Sequence, residues 1–200
     1  MNQIWKSTVM GIVYALIVYI VASILISISS VAALISGLAG SAGAAGGFGA
    51  MTIIFLLLMI AGFVWFFVNL SKFIGLQKTD DDTKAITNVR TAYILIVIGA
   101  VLNLIPLIGW LLNLICQIVG YVLLIVAFGN FANSRALGQD GKTGANLLKV
   151  YAIISLICSV LAVIPFINIL AYLGFIAAYV LLFIGWIKVS NDTPRDVERA

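Results

Sequence analysis

Three stretches of this chain contain no Asp, Glu, Lys or Arg: 65 residues between Lys6 and Lys72, 44 between Arg90 and Arg135, and 38 between Lys149 and Lys188. An α-helix rises about 1.5 Å per residue, so about 20 apolar residues cross the hydrocarbon core of a bilayer. Each stretch is therefore long enough for two crossings, the last one barely. With 64% hydrophobic and 9% charged residues, the chain also lacks the polar side chains that the exterior of a 200-residue soluble fold requires. The expected fold class is all-α: a polytopic integral membrane protein with six transmembrane helices arranged as three helical hairpins in one membrane domain. The hairpins are expected at residues 7–71, 88–134 and 145–190, with a tail at 191–200.

Six crossings place all 11 Lys and Arg and all 7 acids on one side. The positive-inside rule makes that side cytoplasmic, with N and C termini inside. The expected location is a bacterial cytoplasmic (inner) membrane. Trp5, Trp65 and Trp186 are expected at the inner interface and Trp110 at the outer one, as aromatic belts. A cleaved signal peptide is not expected: the apolar run from Thr8 to Ile35 is about twice the usual 7–15-residue signal core.

The second and third hairpins look like copies. The run from Val101 to Gly109 aligns with that from Val160 to Asn168, and Tyr121-Val122-Leu123-Leu124 aligns with Tyr179-Val180-Leu181-Leu182. The offset is 59 in the first block and 58 in the second. Each copy contains Ile-Pro-x-Ile followed by Gly or Asn. Proline breaks a helix, and Gly and Asn tolerate positive φ. Pro106 with Gly109, and Pro165 with Asn168, are accordingly expected to form tight hairpin turns; a kink at Pro106 is the alternative.

The first hairpin differs. Its helices are expected over Ser7 to Ser30 and Met51 to Leu70, joined by a glycine-rich outer stretch from Ser36 to Met51. Glycines at every third position drift around a helix and make no single seam, and each disfavours helix by about 1 kcal/mol. The stretch is expected to be a flexible outer loop, with Gly40, Gly43, Gly46 and Gly47 as its partner-contact residues.

Few residues suggest catalysis. There is no histidine, the commonest general base and metal ligand. Cys116 and Cys158 read as packing residues. Asp80-Asp81-Asp82 lacks the alternating layout of a calcium loop, and Asp82 or Thr83 is expected to cap a helix entering at Lys84. The run from Ala136 to Thr143 resembles a phosphate-binding loop without its first glycine or a preceding strand, and reads as a turn. No cofactor, metal or catalytic residue is expected. Asn113, Gln117 and Tyr121 share one helix face and would line a polar path if there is one; otherwise Gln117 makes a hydrogen bond between helices.

The glycine-rich segment from Gly37 to Gly49 is followed by Phe63-Val64-Trp65-Phe66-Phe67-Val68-Asn69-Leu70-Ser71-Lys72-Phe73. On these residues the first hairpin resembles small uncharacterised polytopic bacterial membrane proteins of the domain-of-unknown-function kind, common in Bacteroidetes. The resemblance implies the topology and no activity. The function expected is that of a non-catalytic membrane protein acting through helix packing, as a homo-oligomer or as a subunit or regulator of a membrane assembly. A channel or transporter for a neutral or hydrophobic solute and an immunity-type protein against a membrane-targeting toxin are the alternatives. The partners expected are membrane lipids and a second copy or other membrane proteins, and not nucleic acid.

Overall fold

The structure, a computed structural model, describes residues 2–103, 105–164 and 167–192; of Asn2, Ala42, Ala44, Ala45 and Asn168 it describes the backbone alone. It contains six helices: α1 (Asn2–Leu38), α2 (Ala42–Gly75), α3 (Asp80–Leu102), α4 (Gly109–Ala132), α5 (Gln139–Leu161) and α6 (Asn168–Asn191). All six are long and apolar enough to cross a membrane. All the helices except α4, which ends at Ala132, run past the expected hairpin limits at the charged end. A helix keeps its backbone hydrogen bonds through polar residues, so charge marks where it leaves hydrocarbon and not where it stops. The chain divides into two compact units, Gly11–Asn69 and Met1–Met10 with Leu70–Ala200.

In the Gly11–Asn69 unit, α1 and α2 pack antiparallel. The hydroxyls of Ser29 and Thr52 are 2.9 Å apart, and the rings of Tyr19 and Phe63 lie 6.3 Å apart. Gly62 brings α2 onto the α1 backbone, since a Cβ there would stand 3.1 Å from the amide nitrogen of Tyr19. The glycine-rich stretch is not the expected flexible loop. Only Ala39–Ser41 lie outside helix, and Gly43, Gly46, Gly47 and Gly49 belong to α2. Gly40 sits at φ +75°, with Gly40 N–H donating to Gly37 O at 3.1 Å and Ser41 N–H to Ser36 O at 3.0 Å. This is the left-handed C-terminal glycine cap of α1. The expectation failed because it treated the stretch apart from the helix that follows it. Once the long apolar run of α2 has formed a helix, extending it outward adds one backbone hydrogen bond per residue with no new nucleation, and this offsets about 1 kcal/mol per glycine.

In the second unit, α3 packs on α4, α4 on α5 and α5 on α6. The α3–α4 connection is a turn at Pro106, and Pro106 does not kink a continuing helix. Among the described residues of this turn, the one with positive φ is Leu107, at 70°, and not Gly109. Gly109 serves close approach instead: a Cβ there would stand 2.5 Å from Leu102 O and 2.9 Å from Asn103 O. In the α5–α6 connection Pro165 lies outside the described residues, and Asn168 is the first residue of α6. Helix α3 begins at Asp80, earlier than Lys84, and its cap is Thr79, whose side chain accepts from Asp82 N–H at 3.1 Å. Asp82 is the third residue of the helix, where its backbone N–H takes the Thr79 cap and its carboxylate accepts from Ser134.

An aromatic cluster closes the charged end. Phe73 lies 4.7 Å from Trp5, 6.0 Å from Phe131 and 5.8 Å from Trp186, centroid to centroid. Trp5 Nε1 donates to Val189 O at 2.8 Å. Trp5 and Trp186 are 3% and 0% exposed, so they are core and not belt residues, whereas Trp65 and Trp110 are exposed. Phe73 supplies the aromatic surface that draws both indoles inward.

Candidate functional site

Positions related by the 59- and 58-residue offsets make corresponding contacts in α3–α4 and α5–α6, often with the two residues exchanged. At the Pro106 end of α3–α4, a Cβ on Gly99 would stand 2.7 Å from Cys116 Cβ. The corresponding places in α5–α6 hold Cys158 and Gly174, and a Cβ on Gly174 would collide with Cys158 Sγ. At the charged end, Ser134 Oγ donates to Asp82 Oδ2 at 2.7 Å, with both residues buried. The corresponding places hold Gly141 and Asp192. Here the carboxylate comes from the other side: Asp192 Oδ2 accepts from Gly138 N–H at 2.9 Å, and Gly141 clears room for it. A close contact has one volume to fill, and either partner can fill it. Gly138 and Gly141, which gave the sequence its likeness to a phosphate loop, thus seat the protein's own Asp192 at the α5 N-terminus, where an anion is favoured.

The same exchange occurs midway along the helices. Ala92-Tyr93 on α3 corresponds to Tyr151-Ala152 on α5, and Tyr121 on α4 to Tyr179 on α6. Each of the four helices thus contributes one tyrosine. Tyr93 and Tyr151 are within electrostatic reach of one another and of Tyr121 and Tyr179. The rings of Tyr121 and Tyr151 meet edge to face, 6.5 Å apart. Tyr93 and Tyr151 were not expected from the sequence; extending the offset along α3 and α5 would have revealed them.

Asn113, Gln117 and Tyr121 follow one another at four-residue steps on α4, and Tyr151, Ser155 and Ser159 do so on α5. Gln117 Nε2 donates to Asn113 Oδ1 at 3.1 Å, a bond within α4 and not the expected one between helices. The four-residue step makes that partner the nearest available. Asn113 Oδ1 would lie 3.0 Å from a Cβ on Gly99, so the amide packs against α3. Ser159 Oγ donates to Ser155 O at 2.8 Å. Ser155 Oγ and Trp186 Nε1 are buried with no hydrogen-bond partner among the described residues.

The glycines fall into two groups. Gly62, Gly99, Gly120, Gly144, Gly174 and Gly185 each face atoms of a neighbouring helix so close that a Cβ would be crowded. Gly43, Gly46, Gly47 and Gly49, equally helical, have open space where a Cβ would stand. Because only the α2 glycines share a helix, their arrangement differs from the drift expected of the whole run. Gly43, Gly46, Gly47 and Ala50 are spaced i, i+3, i+4, i+7 and occupy about 100° of the helix circumference. Thr52, which bonds α1, lies about 180° round from Gly43. The small-residue face is therefore turned away from α1.

Comparison of the chain with protein-family models, with curated proteins and with solved structures finds no match. Fold and geometry define a class: a multi-pass, all-helical membrane protein with six apolar spans.

Proposed function

We propose that this chain is a non-catalytic membrane protein that acts through helix packing, and that α2 joins it to a second copy of itself. The observation that carries this is the set of open glycines on α2. At Gly62, Gly99, Gly120, Gly144, Gly174 and Gly185 a helical glycine marks a neighbouring helix at close range. At the outer end of α2, Gly43, Gly46 and Gly47 stand on one face with nothing against them. Small residues four apart let membrane helices approach to backbone distance. A second copy presents the same face at the same depth, so a two-fold axis along the membrane normal brings Gly43 and Gly47 against their equivalents. The face continues inward through Ile53, Ile54, Leu57 and Val64, all exposed. Only 11% of the most apolar part of α2 is buried, against 28–44% in the other five spans.

The charged side of the molecule faces the cytoplasm in this reading, on the strength of the distribution of Lys and Arg. Passage of a neutral solute is the second reading. The column of Asn113, Gln117 and Tyr121 favours it, and the backbone-close contacts at Gly99 and Gly120 weigh against it.

The test is the oligomeric state in lipid, read by single-molecule photobleaching across a range of protein-to-lipid ratios. A wild-type dimer is expected, with Gly47→Ile shifting it to monomer and Met51→Ile, off that face, leaving it intact. A wild-type monomer at every ratio would end the self-association reading, and co-purification of α2 with a different membrane protein would give the face to that protein.

A further inference from the structure

Arg90 and Lys149 occupy corresponding positions in the two related hairpins, 59 residues apart and each the eleventh residue of its helix. Both are partly buried. Arg90 and Lys149 bound the uncharged runs of the sequence, so they mark where α3 and α5 leave the hydrocarbon, on the side where those helices begin. A charge held there is costly unless it finds a counter-charge or reaches the headgroups.

The described residues supply no counter-charge. Neither side chain makes a hydrogen bond or ion pair among them. Among the described acids of the same end, Asp82 is bonded by Ser134, Asp192 by the α5 N-terminus, and Asp140 pairs with Lys188 at 3.1 Å, while Asp80 and Asp81 stand nine to ten residues before Arg90, about 14–15 Å along α3. The Lys149 stem lies along α4 at Gly129, where a Cβ would stand 3.8 Å from its Cδ, Cε and Nζ. This is ordinary van der Waals contact, and it sets the ammonium group at the level of Gly129, near the charged end of α4.

We propose that Arg90 and Lys149 each bind the phosphate of an anionic phospholipid of the leaflet on their side. A guanidinium takes two phosphate oxygens at once, while an ammonium acts as a point charge. Basic pockets between membrane helices hold anionic headgroups in this way. The inference rests on the six helices crossing a bilayer and is independent of self-association through α2.

The test uses full-length protein in nanodiscs of equal parts phosphatidylglycerol and phosphatidylcholine, with retained lipid measured by native mass spectrometry. Wild type is expected to retain phosphatidylglycerol selectively. Arg90→Gln and Lys149→Gln are each expected to weaken that retention about fivefold, with Arg90→Lys keeping most of it. Lys142→Gln, which removes a charge from the first turn of α5, is expected to change it little. Wild-type thermal unfolding of each variant establishes that it is folded. Equal retention of the two lipids by wild type would overturn the proposal, as would a loss in Lys142→Gln equal to that in Lys149→Gln. Competition by inorganic phosphate in detergent as strong as that by phosphatidylglycerol would make the ligand a free phosphate and overturn the lipid assignment.

Discussion

Replacing Gly99 by cysteine sets a side chain where Cys116 already stands. The new Cβ would lie 2.7 Å from Cys116 Cβ, 3.0 Å from Asn113 Oδ1 and 3.2 Å from Asn113 O. Overpacking of this kind costs about 1–3 kcal/mol, and the backbone oxygen, which cannot rotate away, places Gly99→Cys at the upper end. Cys116→Gly alone removes a small packed side chain and adds a helical glycine, for about 1–2 kcal/mol. Combined, the two changes rebuild in α3–α4 the arrangement that α5–α6 already has at Cys158 and Gly174. The double variant is therefore expected to be more stable than the sum of its parts by about 1–2 kcal/mol. Full recovery is not expected, because the Asn113 contacts remain and must shift by a few tenths of an ångström. Reversible unfolding in mixed micelles, measured for wild type, both single variants and the double, supplies the cycle. Additivity within about 0.5 kcal/mol would show that the Gly99–Cys116 contact is not a shared volume, and the reading of exchanged contacts would fall.

At the α3–α4 turn, Leu107→Gly is expected to stabilise by about 1 kcal/mol, because glycine accepts the positive φ that costs leucine energy. Gly109→Ala is expected to destabilise by about 2 kcal/mol or more, since its Cβ would meet two carbonyl oxygens; the order of melting temperatures of the two variants checks the pair. For orientation, Asp81→Cys in a background with Cys116 and Cys158 replaced by alanine is expected to react with an impermeant thiol reagent only after the cytoplasmic side is opened. Labelling of intact cells would invert the topology.

Much of the fold was legible because charge spacing reads it directly. The runs without charge contain six spans, and the structure has six helices long and apolar enough to cross a membrane. The related hairpins were visible at their apices, where Ile-Pro-x-Ile recurs. They were less visible along α3 and α5, because exchanged residues such as Gly99 and Cys158 look like mismatches until their partners are known. Trp5 and Trp186 were misplaced for a related reason. An indole reads as interfacial by type, and only the position of Phe73 decides that these two are core.

The sequence by itself determined the class of protein: long uncharged runs permit little else than helices in an apolar medium, since every backbone group must be bonded within its own segment. What only the tertiary structure decided is which small residues touch. Gly99, Gly144 and Gly174 lie under neighbouring helices, whereas Gly43, Gly46 and Gly47 lie open, though all six are the same residue in the same kind of helix. A glycine has no side chain with which to signal its surroundings, so its role is set by the distance to the next backbone.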